Sequence, residues 1–371
     1  MMTIRIGIDA ASAVGEKGGV GWHTYHLLQA MLELKEDTEY VGYLRPGSLN
    51  DGHIASWPEH DRIQWAEVPR WRMAWRGRLD RLDLYHGTNF KMHTTGRHGG
   101  VVTIHDLWLE RHPEYSKKVF GQRASSRRAR ATAYRARAVV TVSRFSADEI
   151  SSLYGVPPER VAVIHNGVAE DFHPVIDDQA MARLGGKLEL PKAGFILFVG
   201  GADPRKNHRT FLQAVSLCVP ALQGRAVVLV GDAVHPFGDY RQTAGRLGVA
   251  SLVRCPGRLN REELRLLYSY ADLFVFPSLY EGFGMPVLEA MACGAPVITS
   301  STSALPEVAG EAAVLVNPGD ADALSRAMAE VLEDRDRRER LRTLGLARAK
   351  SFTWHDAAAR THALYRRLCV S

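Results

Sequence analysis

The feature that most constrains this chain is an alternation of short apolar runs with longer helical patterns, which occurs twice along its 371 residues. In the first half the runs at residues 4–8, 40–44, 101–104, 139–142 and 161–164 are separated by amphipathic stretches such as 22–34. Runs so short and so uniformly apolar read as strands buried on both faces, which calls for a parallel sheet with helices on either side. A second set follows a polar, glycine-containing link near 177–194, with runs at 195–199, 226–230, 252–255, 273–276, 297–299 and 313–316. From Asp320 onward the tail reads as consecutive helices rich in Ala, Leu and Arg, the last at 354–368. The expectation is an α/β chain of two Rossmann-like, doubly wound parallel-sheet domains, since a chain this long suits two cores rather than one. We place the first domain at 1–180, the second at 181–350 and a terminal helix at 351–371.

No stretch reaches the ~20 apolar residues that a membrane span needs. The N-terminus, MMTIRIGIDA, runs into a strand and lacks the pattern of a signal peptide, so a cytoplasmic protein is expected. Cys218, Cys255, Cys293 and Cys369 are widely spaced with no C-x-x-C, which argues against a disulfide framework or a zinc site. Basic residues number 47 against 41 acidic, a small excess with one local concentration. Residues 111–144 hold ten Lys or Arg, among them Lys117, Lys118, Arg123, Arg127, Arg128, Arg130, Arg135 and Arg137, against the single acid Glu114. Such a segment fits peripheral contact with an anionic membrane at its inner face, or a basic solvated surface. Aromatic interleaving and a binding motif are both missing, so nucleic acid is not an expected partner.

The chemistry concentrates at 278–296, SLYEGFGMPVLEAMACGAP. A strand precedes it and Pro286 suits the first turn of a helix, so the segment reads as strand, glycine turn, helix. Gly282 and Gly284 relax the backbone, and the N–H groups of a helix start attract an anion. Glu281 in the turn and Glu289 in the helix can then face one crevice, where carboxylates accept hydrogen bonds from sugar hydroxyls. By spacing alone the pair reads first as an exposed carboxylate plus a helix-start charge; the glycine turn, the strand and Pro286 reverse that in favour of the binding reading. Arg205 and Lys206 stand before a second helix, after a strand ending in Gly200 and Gly201, and read as a diphosphate clamp or as a solvated basic loop.

The segment resembles the E-x7-E signature of the retaining glycosyltransferases of family 4, also called group 1, which have the two-domain GT-B fold. The resemblance runs through GGVG at 18–21, TIHDL at 103–107, TVSRFS at 141–146, HNGV at 165–168, FVGGADPRKN at 198–207 and LPEVAG at 305–310. It implies two domains facing a crevice, with the terminal helix crossing back to the first. It implies that Lys206 and Arg205 contact the donor diphosphate, that Glu289 binds the ribose, and that Glu281 contacts the transferred hexose. The amides of Phe283, Gly284 and Met285, with Gly282, complete the cradle. Many relatives carry an arginine where this chain has Gly201, a departure for which Arg205 is the candidate substitute. Gly19 is expected nearest the donor phosphate, although a turn made for packing alone would also need glycine. His105 is expected to touch the transferred sugar or acceptor, with Asp106 orienting it or capping the next turn; a strand-end histidine also serves structure. His86 is a further acceptor-side candidate, Arg258 and Leu259 are candidates for bordering the nucleobase, and Ser143 is expected to cap a helix.

The implied reaction is retaining hexosyl transfer through an oxocarbenium-like state, with the departing phosphate accepting the acceptor's proton. Cations and helix-start amides would stabilise the leaving group without a metal, and no cofactor beyond the nucleotide-sugar substrate is expected. The branch resembled contains mannosyltransferases of bacterial surface polysaccharide assembly, which makes GDP-mannose the first donor and a glycan or polyprenyl-linked saccharide the acceptor. A UDP-sugar-dependent glucosyl- or N-acetylglucosaminyltransferase, a GT-B epimerase and a non-catalytic sugar-nucleotide binder stay open as alternatives. A glycosidase-type carboxylate pair fits less well, because it would not need the diphosphate cations.

Overall fold

A computed structural model describes residues 3–15, 17–49, 57, 60–116 and 122–370. The chain divides into two compact units, Met1–Gly167 with Thr353–Ser371, and Val168–Phe352. The first holds a seven-stranded sheet built from β1 (Ile4–Asp9), β2 (Thr38–Leu44), β3 (Ile63–Glu67), β4 (Leu84–Gly87), β5 (Gly100–Thr103), β6 (Ala138–Thr141) and β7 (Val161–Val163). Its order is β3-β2-β1-β4-β5-β6-β7 and every pairing is parallel. The second contains β8 (Phe195–Val199), β9 (Ala226–Val230), a hairpin of β10 (Val234–His235) and β11 (Gly238–Asp239), then β12 (Val253–Gly257), β13 (Leu273–Phe276), β14 (Val297–Ser300) and β15 (Val314–Val316). Its main sheet runs β12-β9-β8-β13-β14-β15, again wholly parallel. Both units thus carry the doubly wound 3-2-1-4-5-6 order, in which the chain reverses direction between the first and fourth strands and ligands bind beyond the strand carboxyl ends at that point.

Alternation of side chains across the pleat explains why the strands are apolar throughout. In the first unit Val101 and Val140 join the core beneath helices Gly19–Glu33 and Trp354–Val370, while Val102 and Val139 face a separate core with Ala129, Ala133 and Ile150. Both faces are covered, so neither tolerates a polar row. Helix Trp354–Val370 is fastened to the first sheet by Ala357, Ala358, Leu364, Tyr365 and Leu368, and by Thr38 Oγ1 hydrogen-bonded to His362 Nε2 at 2.8 Å. In the second unit Ile196, Phe198, Val227, Leu229 and Val275 pack against Phe211, Leu212, Leu324 and Met328.

Three details differ from the sequence expectation. The units meet at Gly167 and Val168, short of residue 180, because 168–177 is tied to the second unit: Arg261 donates to both carboxylate oxygens of Asp171, Phe172 packs edge-on to Tyr268, and the Val175 amide donates to Ser269 Oγ. The stretch read as a link holds helix Asp178–Lys187, whose first turn is capped by the Asp177 carboxylate accepting from the Ala180 amide at 2.9 Å. Strand β3 and the β10–β11 hairpin have no counterpart in the apolar runs. Lys117 and Lys118 of the basic segment lie outside the described residues.

Candidate functional site

In the second unit the predicted donor residues gather at the switch point between β8 and β13. The chain leaving β8 makes a 3₁₀ turn, Pro204–Lys206, whose start is held by Asp203 Oδ1 accepting from the Arg205 amide at 2.9 Å. Asn207 then takes a left-handed conformation, φ 59°, and donates from Nδ2 to the carbonyls of Pro277 at 2.9 Å and Pro318 at 2.7 Å. Asparagine tolerates that backbone and its amide ties the turn to the end of β13, a role the PRKN string did not disclose. The chain leaving β13 comes back to the same place: Ser278 Oγ lies 2.8 Å from the Arg205 carbonyl oxygen, to which the Leu279 amide donates at 2.8 Å.

These ties bring Lys206 onto Glu281. The ammonium donates to Glu281 Oε1 at 2.7 Å and lies 4.9 Å from the centre of the Phe276 ring, with both charged side chains nearly buried. Ser278 Oγ lies 2.7 Å from the same carboxylate oxygen. Burial pushes the Glu281 carboxyl up, but the Lys206 and Arg205 charges and the hydrogen bonds from Lys206 and Ser278 outweigh it, so the group sits below the usual carboxylate range. Burial draws the Lys206 ammonium down, with Glu281 opposing. An incoming anion would add a second negative partner and relieve that strain on Lys206.

Helix Met285–Ala292 starts beside this pair. Gly284 precedes it at φ 106°, a backbone conformation that requires glycine, and a Cβ there would fall 2.6 Å from Leu305 Cδ2. The N-cap residue Gly284 has no side chain to cap this helix start, and Pro286 brings no N–H to it. Glu289 lies on the helix's partly exposed side and receives the Tyr268 hydroxyl at 3.3 Å. Burial pushes its carboxyl up to about 7, against the pull of Arg261. The two glutamates of one motif therefore differ: Glu281 is held ionised and Glu289 titrates near neutrality. Phe283 is buried, stacked edge-on to Phe352 at 5.8 Å, and Met285 opens the helix.

Arg258 is committed elsewhere, its Nε and Nη2 donating to Asp232 at 2.9 and 2.8 Å across the ends of β12 and β9, while Leu259 is half-buried. That pair is exposed and bridges two loops, a sufficient structural role for Arg258.

In the first unit Gly18 and Gly19 open helix Gly19–Glu33, and a Cβ at either would meet open space. At Gly21 it would fall 2.5 Å from the Ser12 carbonyl oxygen. Packing therefore demands glycine at 21 and leaves 18 and 19 accessible to a ligand. His105, just beyond β5, donates from Nε2 to the Thr88 carbonyl at 2.9 Å; a carbonyl can only accept, so Nε2 carries the proton and Nδ1 presents a lone pair. Burial holds this ring neutral, its pKa lowered to about 4. The His23 ring stands edge-on to it at 4.6 Å, with Nδ1 of His23 bonded to Asn166 Oδ1 at 2.8 Å. His23 was not singled out in the sequence, and Asn166 figured there only within the HNGV string. Asp106 Oδ1 accepts from the Trp108 amide at 3.1 Å, which caps the next turn. Ser143 accepts from the Ser146 amide at 3.1 Å, the cap expected of it. His86 is corrected: it is wholly buried with Nδ1 on the Tyr365 hydroxyl and Nε2 on Thr103 Oγ1, so both nitrogens are used inside the core and none faces an acceptor.

Paired doubly wound sheets with this cradle at the second switch point define the GT-B glycosyltransferase architecture. Residues 17–172 match the family described as Glycosyltransferase Family 4, and residues 186–346 match Glycosyl transferases group 1. The Escherichia coli O-antigen chain mannosyltransferase B is 35% identical over 299 residues, covering 80% of this chain and 77% of that protein. The serotype-specific mannosyltransferase WbdA of E. coli is 37% identical over 229 residues, 60% of this chain but 28% of its own length. Among solved structures, Anabaena Alr3699/HepE in complex with UDP superposes with a TM-score of 0.76 at 19% identity, over 98% of this chain and all of that one. The chain belongs to the group 1, family 4 glycosyltransferases.

Proposed function

We propose that this glycosyltransferase moves mannose from GDP-mannose to a glycan or lipid-linked saccharide, with retention of anomeric configuration and without a metal. The observation that carries the reading is the Lys206–Glu281 pair set beside the uncapped start of helix Met285–Ala292, a cradle suited to a sugar diphosphate. The identity to E. coli mannosyltransferases supports the choice of sugar. Lys206 and Arg205 bind the diphosphate, helped by the amides around Phe283, Gly284 and Met285. Glu281 and Glu289 receive hexose and ribose hydroxyls. As the bond from the anomeric carbon to the phosphate oxygen breaks, its electron pair leaves with the nucleoside diphosphate, and Lys206, Arg205 and the helix start carry the added charge. The acceptor hydroxyl attacks the same face, its proton passing to the departing phosphate oxygen. His105, neutral and offering Nδ1, positions the sugar or acceptor, with Asp106 holding the turn beside it.

The protein works at the cytoplasmic side of a membrane, its basic segment 111–144 in peripheral contact with anionic lipid. No helix among the described residues is long and apolar enough to cross a bilayer. Thermal unfolding in a panel of GDP- and UDP-sugars tests the donor: GDP-mannose should raise the midpoint most, and greater protection by a UDP-sugar overturns the mannosyl assignment.

A further inference from the structure

The first unit carries an exposed apolar surface on residues other than 111–144. The 3₁₀ turn Arg70–Arg72 runs into helix Met73–Leu79, with the sequence RWRMAWRGRL. Met73 and Gly77 are the buried residues of this segment. Gly77 lies so close to the neighbouring chain that a Cβ would fall 1.8 Å from the Thr95 carbonyl oxygen, and its amide donates to Thr94 Oγ1 at 3.1 Å. The inner face is thereby pinned and the outer face fixed. At about 100° per residue, Trp71, Trp75 and Leu79 fall within an arc of about 80°, centred opposite Met73 and Gly77. They are 72%, 67% and 69% exposed, which is far from the usual state of such large apolar side chains.

Arg72 and Arg78 flank the stripe, and the Arg72 guanidinium lies 4.5 Å from the centre of the Trp71 ring. Residues 70–81 hold five arginines against one acid, Asp80, and that acid is already paired with Arg76 at 2.6 Å. Positive charge continues from Arg70 into a pocket lined also by Arg45 and Lys91, where Asp9 is the one carboxylate in the lining. An apolar stripe with indoles at its centre and arginines along both margins matches the boundary between lipid head groups and acyl chains. A second copy of this chain does not match, because it would bring the two sets of arginines face to face.

We propose that the Trp71, Trp75 and Leu79 face seats the first unit on a bilayer that carries anionic phospholipid. The arginines meet the phosphates while the indoles and Leu79 enter the interface. This contact uses residues other than 111–144 and does not depend on the identity of the donor.

The test is flotation of the full-length protein with vesicles of phosphatidylcholine alone or with about one third phosphatidylglycerol. The wild type should float with the anionic vesicles, and the triple variant Trp71→Ser, Trp75→Ser, Leu79→Ser should lose at least tenfold in partitioning. Because the three side chains face solvent, the variant should keep the wild-type melting temperature and donor-induced thermal shift. Replacing Arg72 and Arg78 by Gln should weaken the preference for anionic over neutral vesicles severalfold, the remainder coming from segment 111–144. Equal flotation of the wild type and the triple variant overturns the proposal, as does failure of the wild type to float. So does light scattering that shows a wild-type dimer converted to monomer by the triple variant, since the face would then join copies of the chain.

Discussion

Lys206 and Glu281 depend on one another as a buried pair, and removal of one leaves the other uncompensated. Lys206→Ala should destabilise the second unit by about 3–5 kcal/mol and remove donor binding. The double variant Lys206→Met, Glu281→Gln should recover most of that stability while donor binding stays lost, as read by urea unfolding and nucleotide titration. Equal stability of single and double variants would remove the coupling. Glu289 behaves oppositely. Its carboxyl is raised to about 7, so the folded chain holds a proton that the unfolded chain releases near the ordinary carboxylate value. Stability from this group therefore falls as pH rises from about 4.5 to 7 and stays low above that. Glu289→Gln should raise stability at pH 8, by at most about 3 kcal/mol because the side chain keeps some contact with solvent, and should change little at pH 4.5. Wild-type denaturant midpoints that do not decline between pH 5 and 8 relative to the variant would contradict this.

The elements whose sequence pattern states their surroundings are those buried on both faces. The run at 195–199 became Phe195–Val199 and that at 273–276 became Leu273–Phe276, since a central parallel strand has no polar side to disguise it. Ile63–Glu67 did not announce itself: IQWAE forms the edge strand β3, where one flank is unpaired and polar residues are tolerated. The cluster of Arg205, Lys206 and Glu281 was legible because its residues fall within two turns. His23 and Asn166 were not, because their pairing across 143 positions exists only after the sheet has formed. His86 misled for the related reason that a strand-end histidine can point into the core, and here a helix from the far end of the chain covers it. That contact sets a prediction at this scale. Tyr365→Phe leaves the buried Nδ1 of His86 without its hydroxyl and should cost about 1–3 kcal/mol in the first unit. Chemical denaturation followed by hydrogen exchange in β4 and β5 would register the loss, and unchanged protection there would show that the bond is dispensable.

The whole molecule should respond to mild acid unevenly. In the first unit burial lowers the pKa of His23 and His86 to about 3 and that of His105 to about 4, and it also lowers His93 and His362. The His23, His86 and His105 rings are neutral in the fold and take up a proton only when the unit opens, so their contribution is complete above the unfolded value near 6.5 and is lost as pH falls below it. Each of the three strongest cases should cost about 1.4 kcal/mol at pH 5.5, together about 4 kcal/mol, a large part of an ordinary domain's stability. The second unit carries one such ring, His208, lowered to about 4, and it also carries Glu289, whose shift works in the other direction across the same pH range. Its two contributions largely cancel. Amide hydrogen exchange, corrected for intrinsic rates, should show β1, β4 and β5 losing protection between pH 7.5 and 5.5 while β8 and β13 hold theirs. Replacing His23 with Gln, which has no proton to gain, should shift the first unit's acid transition to lower pH and leave the second unit's profile as it was. Equal acid loss in both units would mean that the buried rings are not what sets the transition, and acid sensitivity confined to the second unit would reverse the assignment.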